Sequence, residues 1–377
     1  MKKIHKKKIE ILTALILSGI VFKEYESNYN AGIKELEKFV ISNFDENGYP
    51  FTRNPNDLIF FTKYLLLCYE NIKDAQQYLP DFLDNIIKQN LKCIKFFKTP
   101  GEQMPLFNGA TESNLSNFNK YLENIKINKT QKNNKIGGIF CAKSKNQVLY
   151  FDVGSPPSKD FSKNYQSGPL SFEYFLDGIK IITNCGFGKD ISPKVELLSR
   201  LTASQSTMTI NDTSITKFER NMLINNVFGN SIKNTFKVSD FKVKDEKNFT
   251  GCSITHNGYE KNFSCIHKRE IYLDHKNIKI KGVDHILKKS DGIPIRYVFR
   301  FHLNPQLKAV KTMSGNSALI QISKNKSLIF TMKEENIEIE KSIYLAGKKI
   351  LDNTCLTISG NLVNKDKSFS WEIKKRI

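Results

Sequence analysis

Along the first hundred residues, apolar side chains return every three or four positions. Ile33, Leu36, Phe39, Val40 and Phe44 form one such stripe, in a segment that ends before Gly48. Asn56 or Asp57 is placed to cap a helix carrying Ile59, Phe60, Tyr64, Leu67 and Cys68. Pro80 suits the first turn of another, with Phe82, Leu83, Ile86, Ile87, Leu91 and Ile94 on its apolar face. A further apolar run extends from about Ile9 to Phe22. Residues 9–98 therefore read as about five amphipathic helices with short links, an all-helical layer.

The pattern loosens after Thr99. The stretch PGEQMPLFNGATESNLSNFN is rich in Gly, Pro, Asn and Ser and predicts loop plus one short helix. From Asn134 the period becomes two. Strands are predicted at residues 138–143, 147–153 and 206–211, and around 270–272, 278–283, 297–302, 318–322, 327–332 and 356–362. The stretch GPLSFEYFLDGIKIITNCG predicts a hairpin turning at Asp177-Gly178, whose second strand runs apolar and stops on Asn184. Many short strands without intervening helices predict an antiparallel sandwich. The chain is thus expected to be an α+β multidomain protein. Its helical part, with a loop-rich linker, takes residues 1–133, and an antiparallel β-sandwich takes residues 134–377.

Composition changes this picture in one respect. Lys and Arg number 58 against 38 Asp and Glu, a formal net charge of +20. Apart from Lys2-Lys3 and Lys6-Lys7-Lys8 the lysines are spread along the chain. They read either as solvated faces or as an anion-binding surface. The sequence has no zinc finger, RNA-binding aromatic motif or basic heptad region, so nucleic acid is not expected as a partner. The seven cysteines are scattered, without a CxxC pair. The N-terminus has a basic run followed by an apolar run, the outline of a leader peptide. Glu10 interrupts it and no small-x-small site follows Phe22, so a packed helix is the competing reading. The apolar part is too short to span a bilayer, and no transmembrane segment is expected.

Several short motifs occur in a telling order. They are Asn47-Gly-Tyr49, Arg53-Asn-Pro55, Pro105-Leu-Phe-Asn-Gly109, Leu170-Ser-Phe-Glu173, Asn184-Cys-Gly186, Arg200-Leu-Thr-Ala-Ser-Gln-Ser-Thr207, Asn211-Asp-Thr213, His256-Asn-Gly-Tyr259, His267-Lys-Arg269 and Arg300-Phe-His302. In this order the chain resembles the heparinase II/III-like polysaccharide lyases, in particular their proteobacterial branch. The resemblance implies a partial α/α toroid followed by a large antiparallel β-sandwich, the match beginning partway into the toroid. It also implies β-elimination on an acidic polysaccharide or oligosaccharide, commonly with His and Tyr moving the protons, and a cell-envelope or periplasmic location. A cytoplasmic location is also compatible with the sequence.

Some members of that family hold a metal in the sandwich through two His and one Asp. By motif those positions fall on Gln166, Asn184 and Gln205, and a further family histidine falls on Asn164. Carboxamides are poor ligands for zinc, so neither a metal nor another cofactor is expected. The amides are expected to satisfy one another as a hydrogen-bonded cluster or to contact sugar. Strand alternation points Cys185 to the opposite face.

The catalytic candidates are Tyr49, His256 and Arg200, the last as a bidentate partner for a uronate carboxylate. Where some relatives place a Tyr after the proline, this chain has Asn56-Asp57. Substrate-binding candidates are Arg53, Asn54, Asn108, Glu112, Gln166, Asn184 and Gln205, and His267 is expected on a solvated strand face. The resemblance implies a lyase-like protein of altered, weak or lost activity. A non-catalytic glycan-binding or envelope-associated protein is the alternative.

Overall fold

The computed structural model describes residues 2–113, 115–123, 134–219, 221, 230–289, 294–363 and 365–376. The linker expected to end at residue 133 lies, over 124–133, outside the described residues. The helical layer contains α1 (Lys2–Val21), α2 (Glu26–Asn43), α3 (Pro55–Asp74) and α4 (Asp81–Phe97), followed by the short α5 (Ser116–Glu123). α1 begins earlier than its apolar stripe and packs on α2 and α3 through Ile9, Leu12 and Ile16, all buried. Gly32 permits that approach, since a Cβ there would lie 2.6 Å from the Ile16 side chain.

α3 is capped by Asn54, not by Asn56 or Asp57. The Asn54 side-chain oxygen accepts from the Asn56 N–H at 2.8 Å, with Pro55 opening the helix. α4 buries Leu83, Ile86, Ile87, Leu91 and Ile94. Its C-terminus is closed from the sandwich, where Lys143 Nζ donates to the carbonyls of Phe96 (2.8 Å) and Lys98 (3.1 Å). A cation there meets the negative end of the helix dipole and the last unpaired carbonyls.

Among the described residues the β half is two antiparallel sheets. The first runs β1 (Lys135–Ile136), β2 (Ile139–Ser144), β3 (Gln147–Asp152), β4 (Phe172–Leu176), β5 (Ile179–Thr183), β11 (Ile295–Leu303), β16 (Leu351–Leu362) and β15 (Glu338–Tyr344), with β6 (Met208–Ile210) also pairing β11. The second runs β12 (Lys308–Lys311), β13 (Ser317–Ser323), β14 (Lys326–Met332), β17 (Lys367–Lys375), β10 (Lys279–Lys288), β9 (Cys265–Asp274), β8 (Phe249–His256) and β7 (Val238–Asp245). A short helix α6 (Pro193–Ser199) follows β5, and α7 (Glu260–Phe263) joins β8 to β9.

Their inner faces form one apolar core. In it Trp371 stacks on Phe172 at 5.3 Å and meets Phe301 edge-on at 5.2 Å. Gly282 pairs with Trp371 and leaves room for the indole, since a Cβ there would lie 2.1 Å from the ring.

The first sheet is also covered on its outer face. Ile139, Cys141, Val148, Tyr150 and Phe175 join the core of the helical layer, where Tyr150 stacks on Phe97 at 5.9 Å. β3 and β4 are consequently buried at every position, which explains continuous apolar runs where simple alternation was predicted.

Candidate functional site

Asp177 (φ 50°) and Gly178 (φ 79°) make the left-handed two-residue turn between β4 and β5. Asn184 follows the last residue of β5 and is completely buried. Its backbone N–H donates to Glu173 Oε1 at 2.9 Å, and its own Oδ1 accepts from the Ser206 N–H at 2.9 Å. Its Nδ2 has no hydrogen-bond partner among the described residues. Cys185 turns the other way, its Sγ lying 3.6 Å from His302 Nδ1.

Glu173 is the anchor that sequence reasoning missed. Its carboxylate also accepts from Thr183 Oγ1 (3.1 Å) and the Leu106 N–H (3.1 Å), and pairs with buried Lys180 at 3.0 Å. The available signal was a lone carboxylate inside an otherwise apolar strand, which demands buried partners.

Gln166 Nε2 donates to the carbonyls of Gly186 (2.9 Å) and Ser199 (2.8 Å), while its Oε1 accepts from the Gly109 N–H at 3.0 Å. Gln205 Nε2 donates to the same Ser199 carbonyl at 3.0 Å. Gln166 and Gln205 therefore converge, and Asn184 lies two residues before Gly186 and accepts from Ser206, the neighbour of Gln205. The amides do not bond to one another as the sequence reading allowed; each is held by backbone groups. Their chemistry does not suit a divalent ion: three neutral carboxamides stand in the set, and the carbonyl oxygens of Gln166 and Asn184 already accept backbone N–H groups. No reaction step is assigned to a metal.

The other binding candidates spread along the seam between the two halves. Arg53, in left-handed backbone (φ 57°), donates to the carbonyls of Gly137 (2.9 Å), Gly138 (3.1 Å) and Ser155 (2.9 Å) and pairs with buried Asp152 at 2.5 Å. Asn108 (φ 54°) donates back to the Arg53 carbonyl at 3.3 Å, and the next residue, Gly109, meets Gln166. Asn54 is the helix cap described above. Glu112 is exposed and accepts from the Tyr344 hydroxyl at 2.6 Å. Arg53, Asn108, Gln166 and Gln205 are thus linked in space, whereas Glu112 lies toward β15.

The three catalytic candidates are not brought together. Tyr49 is fully buried against Phe97 (5.1 Å), its hydroxyl 3.4 Å from the Arg53 carbonyl, and burial holds its pKa well above the ordinary value. Arg200 is also fully buried. It donates through Nε to Tyr165 O (2.8 Å), Nη1 to Asn230 O (2.6 Å) and Nη2 to Ser162 O (2.9 Å). Burial, only partly offset by the Glu196 carboxylate, pushes its pKa down to about 9. In this conformation it braces a loop and presents no fork to a ligand.

His256 belongs to a closed chain between the sheets. The Gly258 N–H donates to His256 Nδ1 at 3.1 Å, so the ring proton sits on Nε2 and points to His267 Nδ1 at 3.3 Å. His267 then donates from Nε2 to Asp284 Oδ1 at 2.7 Å. Arg269 (2.6 Å) and the Trp371 indole (2.8 Å) complete the Asp284 shell. Burial lowers both histidine pKa values, and neighbouring Arg269 and His267 hold the Asp284 carboxyl low against the opposing desolvation. His267 is therefore a core group, not the solvated strand residue that Lys268-Arg269 suggested; β9 alternates buried and half-buried positions, and His267 takes the inner face.

One opening on the seam is a narrow slot lined by His5, Lys6, Thr52, Asp57, Phe61, Asp160, Phe161, Lys163 and Asn164, and a wider one of about 540 Å³ lies beside Arg53, Gly137, Gly154 and Ser155. Lys6 pairs with Asp57 at 2.8 Å, and Asn164 Nδ2 is buried without a partner among the described residues. The half-buried His5 has its pKa lowered, chiefly by desolvation, and is neutral at pH 7. Sequence reasoning passed over His5 as part of the basic run. The signal was its position on the stripe of Ile9, Leu12 and Ile16, the face that α1 turns inward. The slot thus combines an imidazole, the ammonium groups of Lys6 and Lys163, the carboxylates of Asp57 and Asp160, and an amide.

No curated protein sequence matches the chain. Among solved structures, the fold is shared with the heparan sulfate lyase HepC from Pedobacter heparinus (TM-score 0.77, 14% identity), over 97% of this chain and 59% of that one. A structure titled heparinase III gives a TM-score of 0.74 at 16% identity, covering 97% and 60%. A second heparinase III gives 0.78 at 12% identity, covering 97% and 58%. The chain therefore spans somewhat under two thirds of these neighbours' length, and at such identities they share its fold of helices plus sandwich. Residues 127–372, well over half of the chain, match the family model for the heparinase II/III-like C-terminal domain. The protein belongs to the heparinase II/III-like family.

Proposed function

We propose that this chain binds an acidic polysaccharide at the seam between its helices and its sandwich, and that its elimination chemistry is weak or lost. The carrying observation is the composition of the slot and of the amide cluster beside it. Lys163 offers positive charge beside the Lys6–Asp57 pair and Asp160, and Asn164 brings a buried amide donor without a partner among the described residues. Asn164 packs against Gly109, whose N–H is held by Gln166, so the amide cluster stands next to the slot. Carboxamides hydrogen-bond sugar hydroxyls and carboxylates but move no protons near neutral pH.

Elimination needs a base for the proton beside the uronate, neutralisation of the carboxylate and an acid for the leaving oxygen. Tyr49, His256 and Arg200 are enclosed and engaged elsewhere. His5 is the imidazole at the slot, and any residual elimination is assigned to it as base. The likeness to a heparan sulfate lyase supports a sulfated or uronate polymer as ligand. Such a polymer in turn supports a cell-envelope or periplasmic location.

The test is a panel of acidic polysaccharides followed by affinity measurement and by the ultraviolet absorbance of unsaturated uronate. Salt-sensitive binding that falls about tenfold in Lys6→Gln/Lys163→Gln, with little absorbance rise, is expected. Rapid product formation that persists in His5→Ala overturns the proposal, as does the absence of binding to every acidic polymer.

A further inference from the structure

The sandwich half carries a separate cleft of about 580 Å³. Part of it is a two-stranded ladder in which Phe218 pairs with Ile232. It is closed by the Glu219 N–H on Ser231 O and the Lys233 N–H on Lys217 O, each at 2.8 Å. This register sets Lys217 directly opposite Lys233, and both are exposed on the cleft wall. Like charges facing each other across an antiparallel pair are destabilising. Lys233 reaches Glu219 at 3.3 Å, while Lys217 has no charged partner among the described residues. On the rim, the Asp212 carboxylate is engaged by Arg296 at 2.7 Å.

Three further features suit a sugar. Thr209, Thr213 and Ser214 add hydroxyls to the wall, and Phe218 adds an aromatic ring backed by the Arg200 guanidinium at 4.0 Å. Thr216 also lines the cleft; it is 2% exposed, and its Oγ1 has no hydrogen-bond partner among the described residues. A buried hydroxyl without a partner is costly, and so is a facing cation pair; one anionic, hydroxyl-rich ligand relieves both. Arg200 ties this cleft to the seam, because its other nitrogens hold the Ser162 and Tyr165 carbonyls on either side of Asn164.

We infer that the cleft is a second subsite for an anionic sugar unit, sulfated or uronic, of the same polysaccharide; this rests on the acidic-glycan reading of the seam. A chain held at both places is bound more tightly than one held at the seam alone.

The experiment measures the affinity of the full chain for short and long oligosaccharides of one sulfated uronate series. Lys217→Gln/Lys233→Gln is expected to weaken the long ligand roughly fivefold to thirtyfold, flatten its salt dependence and leave the short ligand unchanged. Thr216→Val is expected to weaken the long ligand too, although it removes an unsatisfied hydroxyl and so does not lower Tm. Lys163→Gln is expected to weaken both lengths. If the long ligand binds no more tightly than the short one, or the double variant binds it like wild type, the second subsite is refuted and the seam reading stands. If wild type binds neither, both fall.

Discussion

Acidifying the solvent from pH 7 to pH 5 is expected to destabilise this fold through its buried histidines. His302 shows the magnitude. It is buried on the outer face of the first sheet, with Nε2 donating to the Ala203 carbonyl at 3.0 Å and Nδ1 accepting from Ser342 at 3.0 Å, and burial pushes its pKa from 6.5 down to about 4. A folded-state pKa below the unfolded one means that the unfolded chain takes up the proton first. The stability is present above pH 6.5 and is lost as pH falls through 6.5 toward 4. For His302 alone the loss is on the order of 2 kcal/mol between pH 7 and pH 5, and about 3 kcal/mol once titration is complete. His256 and His267 act in the same direction, since both are fully buried with lowered pKa values. Asp45 and Asp152, whose carboxyls burial pushes up, act in the opposite sense at lower pH. Urea denaturation at pH 7, 6 and 5 measures the sum, and the same series on His302→Gln removes one contribution while keeping a donor for Ala203. A wild-type stability that is flat or rising toward pH 5, or a variant with an unchanged pH slope, refutes the reasoning.

Arg53→Met is expected to cost about 3–5 kcal/mol, because it leaves Asp152 charged and buried and removes the donors to Gly137, Gly138 and Ser155. Chemical denaturation checks it, and a loss below about 1 kcal/mol contradicts the role of a staple. Gln166→His/Asn184→Asp/Gln205→His is expected to gain zinc-dependent thermal stabilisation that the natural chain lacks. A zinc-dependent rise in Tm for the natural chain, or none for the triple variant, counts against the reading of the amides.

Much of the architecture was legible because burial imposes periods on the chain. The stripes of α2 and α4 and the Asp177-Gly178 turn appear where the pattern places them, whereas α3 turns Leu58, Phe61, Leu65 and Leu66 inward with Ile59 and Cys68 and leaves Leu67 exposed. Edge strands such as β7 and β15 escaped because they are mostly solvated and carry little apolar signal. The amide cluster was legible by residue type, and its convergence on Ser199 follows from long-range contacts that no local pattern encodes. The catalytic candidates misled for the same reason. A Tyr, His or Arg read alone does not reveal whether its polar atoms face a cleft or a carbonyl, and Tyr49, His256 and Arg200 all face the interior. His5 escaped for the converse reason, being masked by the lysines around it.

Because β2, β3 and β4 contribute one face to each of the two cores, the helices and the sandwich have a common wall. A substitution at Tyr150 or Phe175 disturbs the packing of α4 as directly as that of the sheet. Heat or denaturant therefore meets one cooperative block, and the helical layer is not free to swing open on its own to admit a polymer. Access to the seam has to come from side chains and loops at its rim.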